Sequence, residues 1–434
     1  MIGLLGLQTC VAFESFAVTT ALPVIAAELD ATQWYSLAFA ATVTTTLIGM
    51  TIGGTWTDGR GIRAPLMFGG SMFLLGLLLC VLAPNMGAFI VGRLLQGIGG
   101  GIDAVVIYVI IAQFIPEPLR PRVFGIMTAA WLLPAMIGPL LTGTLVESVH
   151  WRVVFALVLV LSAASLTSLL SSTRTAAHFR SDAPIVGARG AWAIVAAVGV
   201  FGLHLAGQGL PLQLATGTVV AIALVVLGAM RLLPRGTFRV TAGIPRLVVL
   251  RGLLGASVAV TDVYLPLYLQ HERGYTPTLA GLVVAIGAIG WVTGAWIQGR
   301  SRSTAGDPTI LRGSAALVIC GPLGVVLFIL GLVPIAVTVA GCILMGAGMG
   351  LAYPQITSAV LAISPADQQG ANSSALQIAE SLSTSAFLAI TGTTLTLTGT
   401  LGYLIDYSLA ITISALAVLI ALAVRRPAIP STAV

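Results

Sequence analysis

Six carboxyl groups lie within, or at the rim of, long apolar segments of the chain. They are Glu14, Asp103, Glu147, Asp262, Glu380 and Asp406. A charge at the centre of a bilayer costs about 3 kcal/mol on insertion scales, so each group needs a partner, water or a proton. Glu147 and Asp406 fall at the predicted outer ends of their segments. We expect these two to be solvated caps or gate contacts.

Glu14 stands midway along the first apolar segment. Apolar surroundings disfavour the charged form of a carboxyl group and therefore favour uptake of a proton. A carboxyl that takes a proton on one side of a membrane and releases it on the other is what a proton-coupled carrier needs. The alternative is a permanently protonated Glu14 that only packs and forms hydrogen bonds.

Arg93, Gln96, Gly100 and Asp103 follow one another at helical spacing, with offsets of three, seven and ten from Arg93. This spacing places them on one helix face, which must look into a bundle rather than into lipid. Arg93 and Asp103 are roughly 15 Å apart along the helix axis, too far to pair. We expect Arg93 to pair with a carboxylate on another helix or to control the protonation of Glu14. A purely structural ion pair is the alternative.

A second polar stripe is formed by Ser373, Gln377, Glu380 and Thr384. It also predicts a helix face directed into a bundle. Glu380 is interpreted as a second site for a proton or a cation. Alternatively, it is an interhelical hydrogen-bond donor when protonated.

Asp262 and Tyr264 are two positions apart, so their side chains leave the helix on nearly opposite sides. We favour Asp262 facing inward and Tyr264 anchoring the helix at the membrane interface. The alternative places Tyr264, Tyr268 and Ser257 on the cavity face. In a separate segment, His204 and Gln208 are predicted to be packing or outer-rim residues.

The apolar segments hold more carboxylates than guanidinium groups. An acidic cavity in apolar surroundings suits lipophilic cations and protons and does not suit phosphorylated or carboxylated substrates. The predicted proton-coupling residues are Glu14, Asp103, Asp262, Glu380 and Arg93. The predicted substrate cavity is lined by Glu14, Gln96, Gln377, Asp262 and Glu380. Lys is absent and no nucleotide-binding loop occurs, which excludes ATP-driven transport by this chain alone.

These residues require membrane-spanning helices to position them. The chain is 57% hydrophobic and 8% charged, with a mean hydropathy of +1.04. A soluble domain of 434 residues could not bury so much apolar surface. A spanning helix needs about 20 apolar residues. The predicted spans are 3–27, 34–56, 64–83, 87–115, 121–146, 152–170, 191–209, 212–230, 247–269, 279–298, 311–331, 333–362, 370–396 and 402–424.

Arginine is distributed unequally between the two sides that these spans define. Seventeen of the twenty Arg residues fall on one side, and that count includes Arg251. Arg152 and Arg273 fall on the other side, and Arg93 lies inside a span. Because cytoplasmic loops retain positive charge, we expect the Arg-rich side and both termini to be cytoplasmic. The net charge of +6 is therefore a topology signal and does not indicate binding of nucleic acid.

The spans fall into blocks of six, two and six. We predict an N-terminal six-helix bundle at 1–170, cytoplasmic linkers with two inserted helices at 171–246, and a C-terminal six-helix bundle at 247–434. The outer blocks resemble parallel repeats, in which Gly54 and Trp56 correspond to Gly294 and Trp296. Two such halves are typical of a secondary transporter that rocks about a site at the midplane. The four Cys residues lie within spans without metal-type spacing, and we expect them to pack, with no metal site.

Five segments resemble patterns of the major facilitator superfamily, specifically its fourteen-helix drug:proton antiporters. Residues 13–23 are similar to L-D-x-T-x-V-N-x-A-L-P, and 54–63 to the loop pattern G-x-x-x-D-R-x-G-R-R. Residues 93–99 match R-x-x-Q-G-x-G, 134–143 resemble G-x-x-x-G-P-x-x-G-G, and 264–270 are similar to the ninth helix. Glu14 takes the place of the acidic residue in the first pattern.

This resemblance implies a function and a set of gating residues. It implies two six-helix bundles plus a two-helix insert that export hydrophobic, cationic compounds in exchange for protons, by alternating access. It implies a monomer in the plasma (inner) membrane that is driven by the proton motive force without a cofactor and is not an enzyme. The residues expected in conformational gating are Asp58, Arg60, Gly61, Arg63, Gly138 and Pro139.

Three other functions stay open at this point. One is export of a lipid or lipid precursor, which an apolar cavity permits. Another is a proton-coupled symporter of small solutes or peptides. The peptide family carries E-x-x-E-R in its first helix, whereas Ser15, Phe16, Ala17 and Val18 follow Glu14 here. The third is a channel or a non-transporting receptor.

Overall fold

A computed structural model describes most of the chain, and its elements there are helical. The described residues are 2–115, 120–173, 187–206, 211–301, 305–365 and 368–424. The α-helices are α1 (Ile2–Glu28), α2 (Tyr35–Arg60), α3 (Arg63–Leu82), α4 (Met86–Phe114), α5 (Arg120–Ser148), α6 (Trp151–Ser172), α7 (Ala188–Ala206), α8 (Pro211–Leu232), α9 (Ile244–His271), α10 (Pro277–Arg300), α11 (Pro308–Ile329), α12 (Ile335–Ile363), α13 (Gln369–Thr398) and α14 (Thr400–Leu422).

Each predicted span coincides with one of these helices, and the ends agree within four residues. Across the described ranges, eleven helices are long and apolar enough to cross a membrane. The remaining three are α5, α8 and α13; α13 is rich in Ser and Thr, and the apolar part of α8 is Thr216–Leu232. The prediction of an all-α polytopic membrane protein is confirmed.

The chain forms two compact units. The first unit contains Met1–Val225 and Pro266–Ala285, so it includes the end of α9 and the start of α10. The second unit contains Val226–Leu265 and Ile286–Val434. The division into 1–170, 171–246 and 247–434 stays a prediction.

In the first unit, α4 packs closely between α2 and α3 through its glycines. A Cβ at Gly97 would collide with Thr42 and Thr45 of α2, and one at Gly99 would collide with Gly69 and its neighbours on α3. Such close backbone approach is the usual way in which helices associate in lipid. It holds the face of α4 that carries the predicted polar stripe inside the unit.

In the second unit, α10 packs on α12 in a comparable way, which corrects the predicted repeat register. A Cβ at Gly294 would collide with the backbone of Ala347 on α12. In the first unit, Gly53 of α2 lies against Ile102 of α4, whereas nothing lies within 4 Å of a Cβ built on Gly54. The residue that packs like Gly294 is therefore Gly53, one position before the predicted Gly54.

The inserted helix α7 packs against α2. His204 is 4% exposed, and its Nδ1 lies 3.3 Å from the hydroxyl of Ser36. The prediction of a packing residue is confirmed for His204. Gln208 lies outside the described residues.

Candidate functional site

Glu14 on α1 and Arg93 on α4 form an ion pair buried inside the first unit, and each is 2% exposed. One terminal nitrogen of Arg93, Nη1, donates to the Glu14 carboxylate and also to Gln96 Oε1 at 2.8 Å. The Nε of Arg93 donates to the carbonyl oxygen of Ala38 on α2 at 3.3 Å. The expectation that Arg93 meets a carboxylate on another helix is confirmed, and the partner is Glu14.

Threonines on α2 fix the backbone of α4 at the level of this ion pair. The hydroxyl of Thr42 donates to the carbonyl oxygen of Arg93 at 3.1 Å, and that of Thr45 donates to Leu94 O at 2.9 Å. A carbonyl oxygen has two lone pairs, so each of these carbonyls can accept a bond from α2 in addition to its own helical bond. The two bonds tie α2 to α4 at this level. The position of the guanidinium is thus set by a neighbouring helix as well as by its own.

Asp103 lies two to three turns further along α4 and is 1% exposed. Both of its carboxylate oxygens lack a hydrogen-bond partner among the residues that the structure describes. Gly69 of α3 leaves the space that Asp103 occupies, because a Cβ there would meet Asp103 Oδ1 at 2.6 Å. Asp103 therefore faces α3 without a countercharge from any described residue, and a buried carboxylate in that state would be costly if ionised.

A second, partly buried ion pair lies in the second unit, between Arg251 of α9 and Glu380 of α13. Arg251 Nε donates to Glu380 Oε2 at 2.7 Å, and the Tyr353 hydroxyl of α12 donates to Glu380 Oε1 at 2.6 Å. The guanidinium carbon of Arg251 also lies 3.3 Å from the centroid of the Tyr353 ring. Arg251, counted among the charges at the Arg-rich side, thus pairs with a carboxylate of another helix; the side of the membrane on which it lies stays a prediction.

The predicted excess of carboxylates over guanidinium groups is correspondingly smaller. Glu14 and Glu380 each have an arginine partner. Asp103 and Asp262 remain as acidic residues without one among the described side chains. Asp262 is half-buried. In the second unit, Asp262 and the fully buried Asp406 are therefore the carboxyl groups within predicted spans that lack an arginine partner among the described side chains.

Two interpretations of single residues are wrong because the side chains turn towards neighbouring helices. Tyr264, predicted as an interface anchor, is fully buried, and its hydroxyl receives a hydrogen bond from Thr391 at 3.2 Å. Asp406, predicted as a solvated cap or gate contact, is also fully buried and accepts a hydrogen bond from Thr394. Both partners lie on α13, whose threonines offer polar contacts to α9 and α14.

Glu147, by contrast, is an exposed contact at the end of α5. Its Oε1 accepts a hydrogen bond of 2.6 Å from the backbone N–H of Thr278 at the start of α10. Nearby, Gly281 of α10 packs against the carbonyl of Pro139, and Gln270 of α9 donates to Thr20 O of α1 at 3.3 Å. The exposure of Glu147 and its hydrogen bond to the start of α10 confirm the expected position of this carboxylate as a cap or contact.

The predicted gating residues are only partly described. The side chains of Asp58 and Arg60 lie outside the described part. Gly61 ends α2 with φ of +74°, a conformation that favours glycine, and the next helix begins at Arg63. Gly138 and Pro139 are buried in α5, and Gly138 faces Phe13 and Phe16 of α1 at ordinary contact distance.

Along the stripe on α13, exposure differs between residues. Gln377 is exposed, Ser373 and Glu380 are half-buried, and Thr384 is buried. The assignment of Gln377 to a substrate cavity stays a prediction.

Tyr353 and Arg251 are the contact residues that the sequence analysis missed. A signal for Arg251 was present, because the residue falls within the predicted span 247–269 and so had to be satisfied inside the membrane. Tyr353 carried no comparable signal, since a tyrosine in an apolar helix is usually a packing residue.

Comparison with known proteins identifies the family and a group of relatives. The model described as "Major Facilitator Superfamily" matches residues 4–388. "Probable multidrug-efflux transporter Rv1634" of Mycobacterium tuberculosis is 25% identical over 80% of this chain and 76% of that protein. "Multidrug efflux pump SdrM" of Staphylococcus aureus is 25% identical over 68% of this chain and 67% of its own length.

Solved structures with the same fold are peptide-transporter-family proteins. A "POT family transporter in complex with 5-aminolevulinic acid" has a TM-score of 0.71 at 15% identity, covering 96% of this chain and 95% of that one. The "POT family transporter PepTSo" has a TM-score of 0.69 at 13% identity, with 96% and 97% covered. At this identity the likeness shows the fold alone.

Proposed function

Since the chain belongs to the Major Facilitator Superfamily and is a transporter rather than an enzyme, we propose that it exports hydrophobic, cationic compounds in exchange for protons. The observation that carries the proposal is the buried ion pair of Glu14 and Arg93. Relatives with multidrug efflux in their names support the substrate class. The closer assignment is to the fourteen-helix drug:proton antiporters.

Glu14 is the proposed proton switch because it can exchange one positive partner for another. With Arg93 as its partner, the carboxylate is ionised and paired. When a proton binds Glu14, Arg93 keeps two acceptors, Gln96 Oε1 and the carbonyl oxygen of Ala38. A buried guanidinium that retains acceptors is much less costly than one left bare. Glu14 can therefore bind and release a proton while the Arg93 guanidinium keeps hydrogen-bond acceptors.

Asp103 is proposed as a second proton-coupling residue of the same unit. In this conformation, its lack of a countercharge favours the protonated carboxyl. Asp262 and Glu380 are the corresponding residues of the second unit. The proposed cavity residues remain Glu14, Gln96, Gln377, Asp262 and Glu380.

The distribution of arginine supports the proposed orientation, and the resemblance to drug:proton antiporters supports the proposed membrane and monomeric state. The Arg-rich side and both termini are cytoplasmic, the membrane is the plasma (inner) membrane, and the transporter works as a monomer. Its energy source is the proton motive force, with about 2.3 kcal/mol per proton for each 100 mV of membrane potential. No cofactor is involved.

The test is uptake of ethidium, a fluorescent lipophilic cation, into inside-out vesicles that contain either the wild type or Glu14→Gln. An acidic vesicle interior should drive uptake by the wild type, and a protonophore should abolish it. Glu14→Gln should lose the gradient-dependent part. Absence of gradient-driven uptake by the wild type would contradict export of cationic compounds. Equal uptake by Glu14→Gln would contradict the role of Glu14.

A further inference from the structure

In the second unit, the groups around the Arg251 side chain are of the kind that bind organic cations. A carboxylate oxygen of Glu380 lies on one edge of the guanidinium at 2.7 Å. The face of the Tyr353 ring covers it at 3.3 Å from the guanidinium carbon. A carboxylate combined with an aromatic face is the usual set of groups by which proteins bind such cations.

Neighbouring side chains hold these two groups in position. The Tyr353 hydroxyl donates to the second oxygen of Glu380, so the ring and the carboxylate are fixed relative to each other. The ring of Trp291 on α10 meets that of Tyr353 edge to face, with 5.5 Å between centroids. Gly255 of α9 leaves room, because a Cβ there would lie 2.8 Å from Glu380 Cγ. The receptor groups thus stay ordered by contacts that do not involve Arg251.

One carboxylate and one guanidinium contact Tyr353. The Tyr353 hydroxyl donates to Glu380, and the Arg251 guanidinium, which pairs with Glu380, lies over the Tyr353 ring. Replacement of Arg251 by another monovalent cation would therefore leave the local charge unchanged. The position is also within reach, since the side chains of Arg251 and Glu380 are 14% and 29% exposed.

If the Arg251 guanidinium leaves Glu380, it can move towards the membrane interface at the start of α9. Arg251 stands seven residues after the first residue of α9, roughly 10 Å from that helix end. A long arginine side chain near a helix end can extend its charged head to the membrane interface. Departure from Glu380 is therefore a rotamer change rather than a movement of the helix.

We propose that Glu380, Tyr353 and Trp291 form a binding site for planar cations with delocalised charge, and that the guanidinium of Arg251 occupies this site as an internal competitor. The inference rests on the proposed export of cationic compounds and names the groups that recognise them. The stacking of a flat guanidinium at van der Waals distance indicates a flat ligand, such as an amidinium or an aromatic iminium ion. Loss of Arg251 then frees the site.

The test is ethidium binding to the purified full-length protein, followed by fluorescence polarisation. Arg251→Ala should bind ethidium roughly ten-fold more tightly than the wild type, because the competitor is gone. Ethylguanidinium should compete with ethidium in Arg251→Ala much more strongly than in the wild type. Adding Glu380→Gln or Tyr353→Leu to Arg251→Ala should reverse the gain in affinity.

The matched control is Arg246→Ala. Arg246 also lies on α9, but its guanidinium donates to the carbonyl oxygens of Ala423 and Val240 and to no carboxylate in the part of the chain that the structure describes. Equal tightening by Arg246→Ala and Arg251→Ala would overturn the proposal, because general loss of positive charge would then explain the gain. If Arg251→Ala does not fold, Arg251→Lys replaces it. Lys cannot stack on the Tyr353 ring as the planar guanidinium does, so it should be a weaker competitor. The Arg251→Lys variant should therefore bind ethidium about three-fold more tightly than the wild type. An unchanged affinity for ethidium overturns the proposal.

Different results would overturn the proposed cation-binding site and the proposed proton-coupled export. Gradient-driven ethidium uptake by the wild type, combined with no gain in affinity for Arg251→Ala, would overturn the binding site and leave the exporter in place. Ethylguanidinium-sensitive binding in Arg251→Ala, without gradient-driven uptake by the wild type, would support the site and reject proton-coupled export.

Discussion

Arg93 of α4 and Glu14 of α1 form an ion pair that is almost fully buried, with each side chain 3% exposed. The pair joins two helices of the first unit at a depth where neither charge could stay alone at low cost. Gln96 and the carbonyl oxygen of Ala38 complete the environment of the guanidinium. In the proposed cycle, stability and proton exchange therefore depend on the same two side chains.

Removal of the cation alone should be damaging. Arg93→Met leaves the Glu14 carboxylate buried without a countercharge, which should cost about 3–5 kcal/mol in the free energy of unfolding. The double variant Glu14→Gln/Arg93→Met should regain most of this loss, because no buried charge is left. Thermal unfolding of the three proteins in detergent measures the effect. Equal melting temperatures for the single and the double variant would show that the pair is not coupled.

Asp103 should tolerate neutralisation. Asp103→Asn keeps the size of the side chain and removes a carboxyl that lacks hydrogen-bond partners among the described residues. We expect a change below roughly 1 kcal/mol in the free energy of unfolding. Gradient-driven uptake should nevertheless decrease, since Asn cannot carry a proton. A large loss of stability would indicate that Asp103 is ionised and paired.

The packing of α2 on α4 should depend on Gly49 and not on Gly54. A Cβ at Gly49 would collide with the backbone of Ile98 on α4, whereas Gly54 has open space. Gly49→Val should therefore cost at least about 2 kcal/mol of stability by separating the helices. Gly54→Val, on the same helix, is the control and should be close to neutral in a thermal-unfolding assay. Similar losses for both would contradict the close approach.

The contact between α5 and α10 should resist moderate acid. Although burial raises the pKa of Glu147, hydrogen bonds from Thr278 and Thr276 bring it below its ordinary value. Because the ionised carboxylate makes the bond, the stabilisation is present above the ordinary pKa of about 4.3 and is lost as the pH falls through the lowered value.

Hydrogen exchange of the Thr278 amide measures this contact. After correction for the intrinsic rate, protection should be equal at pH 7 and pH 5.5 in the wild type. Glu147→Gln should lose part of that protection at both pH values, while Glu272→Gln, an exposed carboxylate nearby, should not. Protection that disappears between pH 7 and pH 5.5 would contradict the lowered pKa.

The positions of the helices could be predicted from the sequence because apolar length alone defines a span. The kind of partner that Arg93 has, a carboxylate on another helix, could be predicted as well, since the polar stripe on α4 has to face another helix. That this carboxylate is Glu14 could not. The directions of Tyr264 and Asp406 could not be predicted, because each depends on a threonine of another helix. Thr391 is more than a hundred residues from Tyr264, and Thr394 of α13 precedes Asp406 of α14 by 12 residues.

Arg251 shows why counting charges near helix ends is insufficient. By its distance from the end of α9 it could reach either the interface or the interior. The choice depends on Glu380 and Tyr353, which come from two later helices. Sequence spacing within a single helix carries no information on those contacts.

The most direct test of proton coupling at Glu14 reverses the direction of the driving force. Purified protein is reconstituted into liposomes that contain a pH-sensitive dye, and an ethidium gradient is imposed without a proton gradient. For the wild type, we predict proton movement opposite to ethidium that stops when the ethidium gradient is dissipated. For Glu14→Gln, we predict no such movement. Ethidium flux without proton movement in the wild type, or undiminished proton movement in Glu14→Gln, would contradict proton coupling at Glu14.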